Sequence, residues 1–115
     1  MAGEHILLVE DDSDLVAVLV QVLEQAGYRV STAARRTRAR VLLRRGDVDL
    51  IVADSVLRGG NGEDVAKAAE SQGVPVILIS GEPDRIGRLS AGPIPFLAKP
   101  FRSAELIALV AQLLP

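Results

Sequence analysis

A three-layer α/β sandwich, with a five-stranded parallel sheet between two layers of helices, is the fold class this sequence predicts. Three observations lead to it. Short apolar runs recur along the chain, segments of helical periodicity alternate with them, and the central runs are apolar throughout, as in strands covered on both faces. The chain has 115 residues, 49% of them hydrophobic and 24% charged. That is enough for one domain, over 1–115, with a sizeable core, and no further domain is expected.

The run His5 to Val9 (HILLV) is the first buried strand, and Glu10, Asp11 and Asp12 follow it at once. Leu15, Leu19, Val22, Leu23 and Ala26 recur at helical spacing, with Ser13 as N-cap and Gly27 as the stop. Tyr28 to Ala33 alternates, as a half-exposed strand does. An arginine-rich helix over roughly Thr37 to Arg45 puts Val41 and Leu42 on one side and ends at Gly46. Asp49 to Asp54 is a buried strand closing on a carboxylate.

Arg58 to Gly62 is a loop in which Asn61 could cap a helix carrying Val65, Ala66 and Ala69, and Gly73 ends that helix. Val74 to Ser80 is the next buried strand, and Asp84 to Ala91 supplies one or two helical turns. Ile94 to Lys99 is the fifth strand, where Pro93 and Pro95 cannot donate ladder bonds and so mark a sheet edge. Leu106, Ile107, Val110 and Leu113 belong to a closing helix that begins near Ser103. With the second and fifth strands as edges, the strand order is 2-1-3-4-5, the flavodoxin-like (βα)5 arrangement.

Composition narrows the function. No apolar run reaches membrane-spanning length, no signal segment opens the chain, and cysteine is absent. A cytoplasmic protein without disulfides, thiol chemistry or membrane contact is expected. With His5 as the lone histidine, a zinc site is not expected either. Thirteen basic and fifteen acidic residues give −2 overall, but Arg35, Arg36, Arg38, Arg40, Arg44 and Arg45 crowd one acid-free stretch. The seven basic and fifteen acidic residues outside it leave −8. A solvated helix face is the plain reading of the arginines, and an acidic protein partner is the functional one. Aromatics at 3% and the lack of a DNA-binding motif argue against nucleic acid.

Ligands of such sheets bind beyond the carboxyl ends of the strands. Glu10, Asp11 and Asp12 lie there after the first strand, Asp54 after the third, Ser80 after the fourth and Lys99 after the fifth. Crowded carboxylates repel, and an all-oxygen set suits Mg²⁺ or Mn²⁺. A carboxylate beside such an ion can attack a phosphoryl group, with Ser80 as hydrogen-bond donor and Lys99 as fixed positive charge on the phosphoryl oxygens. Pro100 constrains the end of the fifth strand, and a cis Lys99–Pro100 peptide is open to it.

The stretches ILLVEDD, DLIVADSVLRGGNG, VPVILIS and FLAKPF, in this order, resemble the receiver domain of bacterial two-component response regulators, in a stand-alone, chemotaxis-receiver-like form. The resemblance implies that Asp54 is the phosphoacceptor and that Asp11 binds Mg²⁺ directly and Glu10 through water. It implies the backbone carbonyl of Val56 as a further metal ligand, Ser80 as the switch hydroxyl, Lys99 as the invariant-type lysine and Phe96 as the switch aromatic. A histidine kinase or histidine phosphotransfer protein would then be the phosphoryl donor in a phosphorelay. A downstream protein would read the face built by the fourth and fifth strands and their helices, and a homodimer is compatible with the resemblance.

Arg58 and Asn61 stand where the family usually has proline and often has aspartate, and the stretches on either side of Ser80 are a few residues short. Two alternatives stand beside it: a non-phosphorylated pseudo-receiver that keeps the fold and acts as an interaction module, and a small aspartyl-phosphate hydrolase. The hydrolase pattern needs an aspartate nucleophile on the first strand, where Glu10 stands.

Overall fold

The computed structural model describes residues 3–57, 60–82 and 94–114. Its sheet is built from β1 (His5–Val9), β2 (Arg29–Ala33), β3 (Leu50–Asp54), β6 (Val76–Ser80) and β7 (Phe96–Ala98), all parallel and ordered β2-β1-β3-β6-β7. In terms of the five main strands this is 2-1-3-4-5. The helices are α1 (Ser13–Gln25), α2 (Arg36–Arg44), α3 (Gly62–Glu70) and α4 (Ser103–Leu113). The short helix expected over 84–91 lies outside the described residues. Among those described, no helix is long and apolar enough to cross a membrane.

β1, β3 and β6 are buried along their whole length because side chains of both parities are apolar. Ile6, Leu8, Leu50, Val52, Ile77 and Ile79 face α1 and α4, where Leu19, Leu23, Leu106 and Val110 complete one half of the core. Leu7, Val9, Ile51, Ala53 and Leu78 face the other way, onto Ala39, Leu42 and Leu43 of α2 and Val65, Ala66 and Ala69 of α3. Each fully buried leucine, isoleucine or valine contributes about 1.5–3 kcal/mol. The outer strands differ as edges should: β2 alternates in exposure and β7 is only partly covered.

Several element ends depart from the sequence expectation for local reasons. The N-cap of α1 is Asp12 rather than Ser13, its Oδ1 accepting from the amides of Asp14 (3.0 Å) and Leu15 (3.3 Å). Gly27, at φ 99°, turns the chain out of α1, and Tyr28 N donates back to Leu23 O at 3.2 Å. β6 starts at Val76 instead of Val74 because Pro75 has no N–H to donate, although its carbonyl accepts from Ile51 N. The segment after Asp54, expected as loop alone, carries a two-stranded antiparallel ribbon of β4 (Val56–Leu57) and β5 (Gly60–Asn61), and α3 starts directly after Asn61.

Candidate active site at the carboxyl ends of the strands

Glu10 continues β1 by one backbone bond, Glu10 N to Ala33 O at 3.0 Å, and this turns its side chain inward; it is 3% exposed. Its Oε2 accepts from the amides of Asp11 (3.0 Å) and Asp12 (3.1 Å), while the buried Oε1 has no hydrogen-bond partner. Asp54 closes β3 and is 7% exposed. Lys99 reaches in from the end of β7: its Nζ donates to Asp54 Oδ2 at 2.7 Å and stands 3.6 Å from Glu10 Oε1. The lysine in the apolar stretch PFLAKPF is therefore held between two buried carboxylates.

The electrostatics follow from this geometry. Burial, reinforced by the Asp54 carboxylate, pushes the Glu10 carboxyl up to about 7, against smaller opposing effects of the Asp12 amide and the Lys99 charge. Burial also acts to discharge Lys99, but its hydrogen bond to Asp54 and the negative charge of Asp54 and Glu10 outweigh that and hold the ammonium above its ordinary range.

Backbone bonds stitch these strand ends together. Ser55 N donates to Ile79 O at 2.8 Å, and Lys99 N to Ser80 O at 2.8 Å. Ser80 is fully buried, and its Oγ accepts from Glu82 N at 3.3 Å, which leaves the hydroxyl proton to be donated elsewhere. The Lys99–Pro100 peptide is cis. Phe96 is partly buried and packs on the α2–α3 half of the core.

Glu10, Asp54 and Lys99 thus meet directly, with Ser80 tied to the last by backbone. Asp11 is exposed, Asp12 is occupied as the cap of α1, and Val56 lies in β4. Among the described residues, no three His, Cys, Asp or Glu side chains gather into a metal-holding group. Gly81 was not singled out by sequence: a Cβ built there would lie 3.5 Å from Lys99 Cδ and 3.6 Å from its Cβ. Those are ordinary van der Waals distances, so the lysine stem packs beside Gly81 without requiring a glycine there.

Comparison with known proteins gives one family. The family model described as "Response regulator receiver domain" matches residues 6–111. The transcriptional regulatory protein TcrA of Mycobacterium tuberculosis is 34% identical over 113 residues, covering 94% of this chain and 45% of that protein. The chain spans about half the length of such relatives. A response regulator receiver protein from Sinorhizobium medicae superposes with TM-score 0.88 at 31% identity, covering 97% of this chain and 94% of that one. The receiver domain of the sensor histidine kinase PA1611 from Pseudomonas aeruginosa, with a magnesium ion coordinated in its active-site cleft, superposes with TM-score 0.83 at 33% identity, covering 96% and 97%.

Proposed function

Because the chain belongs to the response regulator receiver domain family of two-component systems, we propose that it is a signalling switch set by phosphoryl transfer onto Asp54. The observation that carries this reading is the 2.7 Å contact between Lys99 Nζ and Asp54 Oδ2 beside the buried Glu10.

The donor set fits Mg²⁺ or Mn²⁺. It is all oxygen, and it includes a buried carboxylate whose raised proton affinity and unpartnered Oε1 are what a hard cation relieves. Asp11, Asp54, the carbonyl of Val56 and, through water, Glu10 would hold the ion, as the magnesium-bearing relative encourages. When bound, it supplies a divalent charge that offsets those of the carboxylates and of the entering phosphoryl group.

The chain's own residues supply the rest. An Asp54 carboxylate oxygen attacks the phosphorus of a phosphohistidine on a histidine kinase or phosphotransfer protein; the P–N bond breaks and its electron pair stays with the imidazole. Lys99, kept protonated by its two carboxylates, pairs with the negative charge added to Asp54. Ser80 donates its hydroxyl proton to a phosphoryl oxygen, and Phe96 repacks inward as Ser80 moves. Two packings of the β6–β7 face then differ in affinity for a downstream protein. Hydrolysis of the acyl phosphate resets the switch, so the chain acts on itself and not on external substrates.

The test is incubation with Mg²⁺ and acetyl phosphate followed by intact mass measurement, with Asp54→Asn in parallel. One acid-stable, base-labile phosphoryl group on wild type, absent from the variant, is the expected result. An unmodified wild type that also fails to bind Mg²⁺ would leave the pseudo-receiver, an interaction module, as the reading.

A further inference from the structure

We infer that the outward face of α2 is a docking surface for an acidic, apolar-anchored segment of another protein. The juxtaposition behind it is an exposed valine set among unpaired arginines. Val41 is 41% exposed and, with Val18, is one of two large apolar side chains the described residues leave in water. The sequence places Val41 and Leu42 on one side of the helix; the structure separates them, burying Leu42 with Ala39 and Leu43 and turning Val41 outward. At about 100° per residue, Val41 falls in the middle of the outward arc, between Arg40 and Arg44 on one side and Arg38 and Arg45 on the other. An apolar centre rimmed by guanidiniums is the composition of a protein-binding patch, since arginine is enriched at interfaces and large apolar side chains anchor them.

Only one of the arginines ties α2 to a neighbouring element by an ion pair among the described residues. Arg36 pairs with Asp64 of α3 at 2.9 Å, whereas Arg35, Arg38, Arg40, Arg44 and Arg45 form no ion pair among the described residues. They also work against their own helix. Arg36, Arg40 and Arg44 repel at successive i,i+4 positions, and Arg36 and Arg38 load the positive end of the dipole, without a side-chain cap at Arg35. A local sequence that opposes its own element points to a use outside it.

The patch also limits its occupant. Arg40 and Arg44 flank a shallow notch of about 200 Å³ against α3, lined also by Leu43 and Ala68, where a carboxylate side chain would meet both guanidiniums. Nine residues of helix span about 14 Å. Exposed Asp47 and Asp49 lie just past one end of α2, and Asp64 pairs at the other. A long polyanion would run onto those acids and the rest of the negatively charged chain. A short protein segment with carboxylates spaced around an apolar residue would not.

The test is selection of twelve-residue peptides from a random display library on the wild-type chain, with counter-selection on the folded Arg40→Glu/Arg44→Glu variant. Circular dichroism checks both proteins. Enriched peptides should be rich in Asp and Glu around an aliphatic or aromatic residue, shift the amide resonances of α2 and bind the double variant at least tenfold more weakly. Val41→Ser should weaken them about fivefold while leaving the salt dependence unchanged. Failure to enrich any peptide over the counter-selection overturns the proposal. So does equal binding of a dT12 oligonucleotide with no effect of Val41→Ser, which would make the face a polyanion site. Self-association of wild type that the double variant abolishes would assign the face to a second copy instead.

Discussion

At Glu10, burial and then the neighbouring Asp54 carboxylate raise the proton affinity until the group titrates at about 7, against an ordinary 4.5. Between those values the folded chain holds a proton that the unfolded chain has lost. Stability from this group is therefore complete below 4.5 and lost as pH rises through 7. Urea unfolding of metal-free protein should show a loss between about pH 5.5 and pH 8 that Glu10→Gln lacks, a difference on the order of 1–3 kcal/mol. Addition of Mg²⁺ should shrink it; identical pH profiles for the two proteins would contradict the account. The acids themselves were legible, because EDD directly follows an apolar run. Their division of labour was not. Which of three consecutive acids turns inward depends on β1 pairing with β2 for one residue past Val9, and which caps α1 depends on whether Asp12 or Ser13 stands just outside the helix. Both are capping types, and sequence does not rank them.

The helices show how a good start and a poor one differ. Asp12 satisfies two amides of α1, and Glu105 Oε1 accepts from the Arg102 amide at 3.0 Å to close the first turn of α4. α2 has Arg35 at its N-cap with no side-chain hydrogen bond. Asp12→Ala should therefore cost about 1 kcal/mol, and Arg35→Asn should add roughly 0.5–1 kcal/mol, both read from denaturant midpoints. If Arg35→Asn fails to stabilise, the backbone at that turn is already satisfied by other means. Helix positions were legible from periodicity to within a residue or two, as α2 at Arg36–Arg44 shows against Thr37 to Arg45. The sidedness of α2 was harder. With four arginines among nine residues few apolar positions define a stripe, so adjacent Val41 and Leu42 could not be separated by pattern alone.

Across the whole molecule, the sheet divides the core into two halves that share no helix. Leu23 sits in one and Leu43 in the other, both at least 98% buried. Leu23→Ala and Leu43→Ala should each cost about 2–4 kcal/mol, and the pair should add to within about 0.5 kcal/mol, because sites with no shared partner do not couple. A marked shortfall in a urea-measured double-mutant cycle would mean the sheet transmits strain between the halves. The topology was legible because βα alternation leaves few arrangements once the edges are identified. The β4–β5 ribbon was not, since two-residue strands carry no period.

The two anions of the site and its cation are mounted on parts of the sheet with unequal hold. Glu10 and Asp54 extend from β1 and β3, each paired on both sides; Lys99 hangs from β7, three residues long with a single neighbour. Edge segments with few contacts open before the core does. Each such opening takes the ammonium away while the carboxylates stay in place, so the lysine behaves as a resident, displaceable counterion. A cation arriving at the strand ends then meets carboxylates whose resident positive charge gives way as the edge breathes.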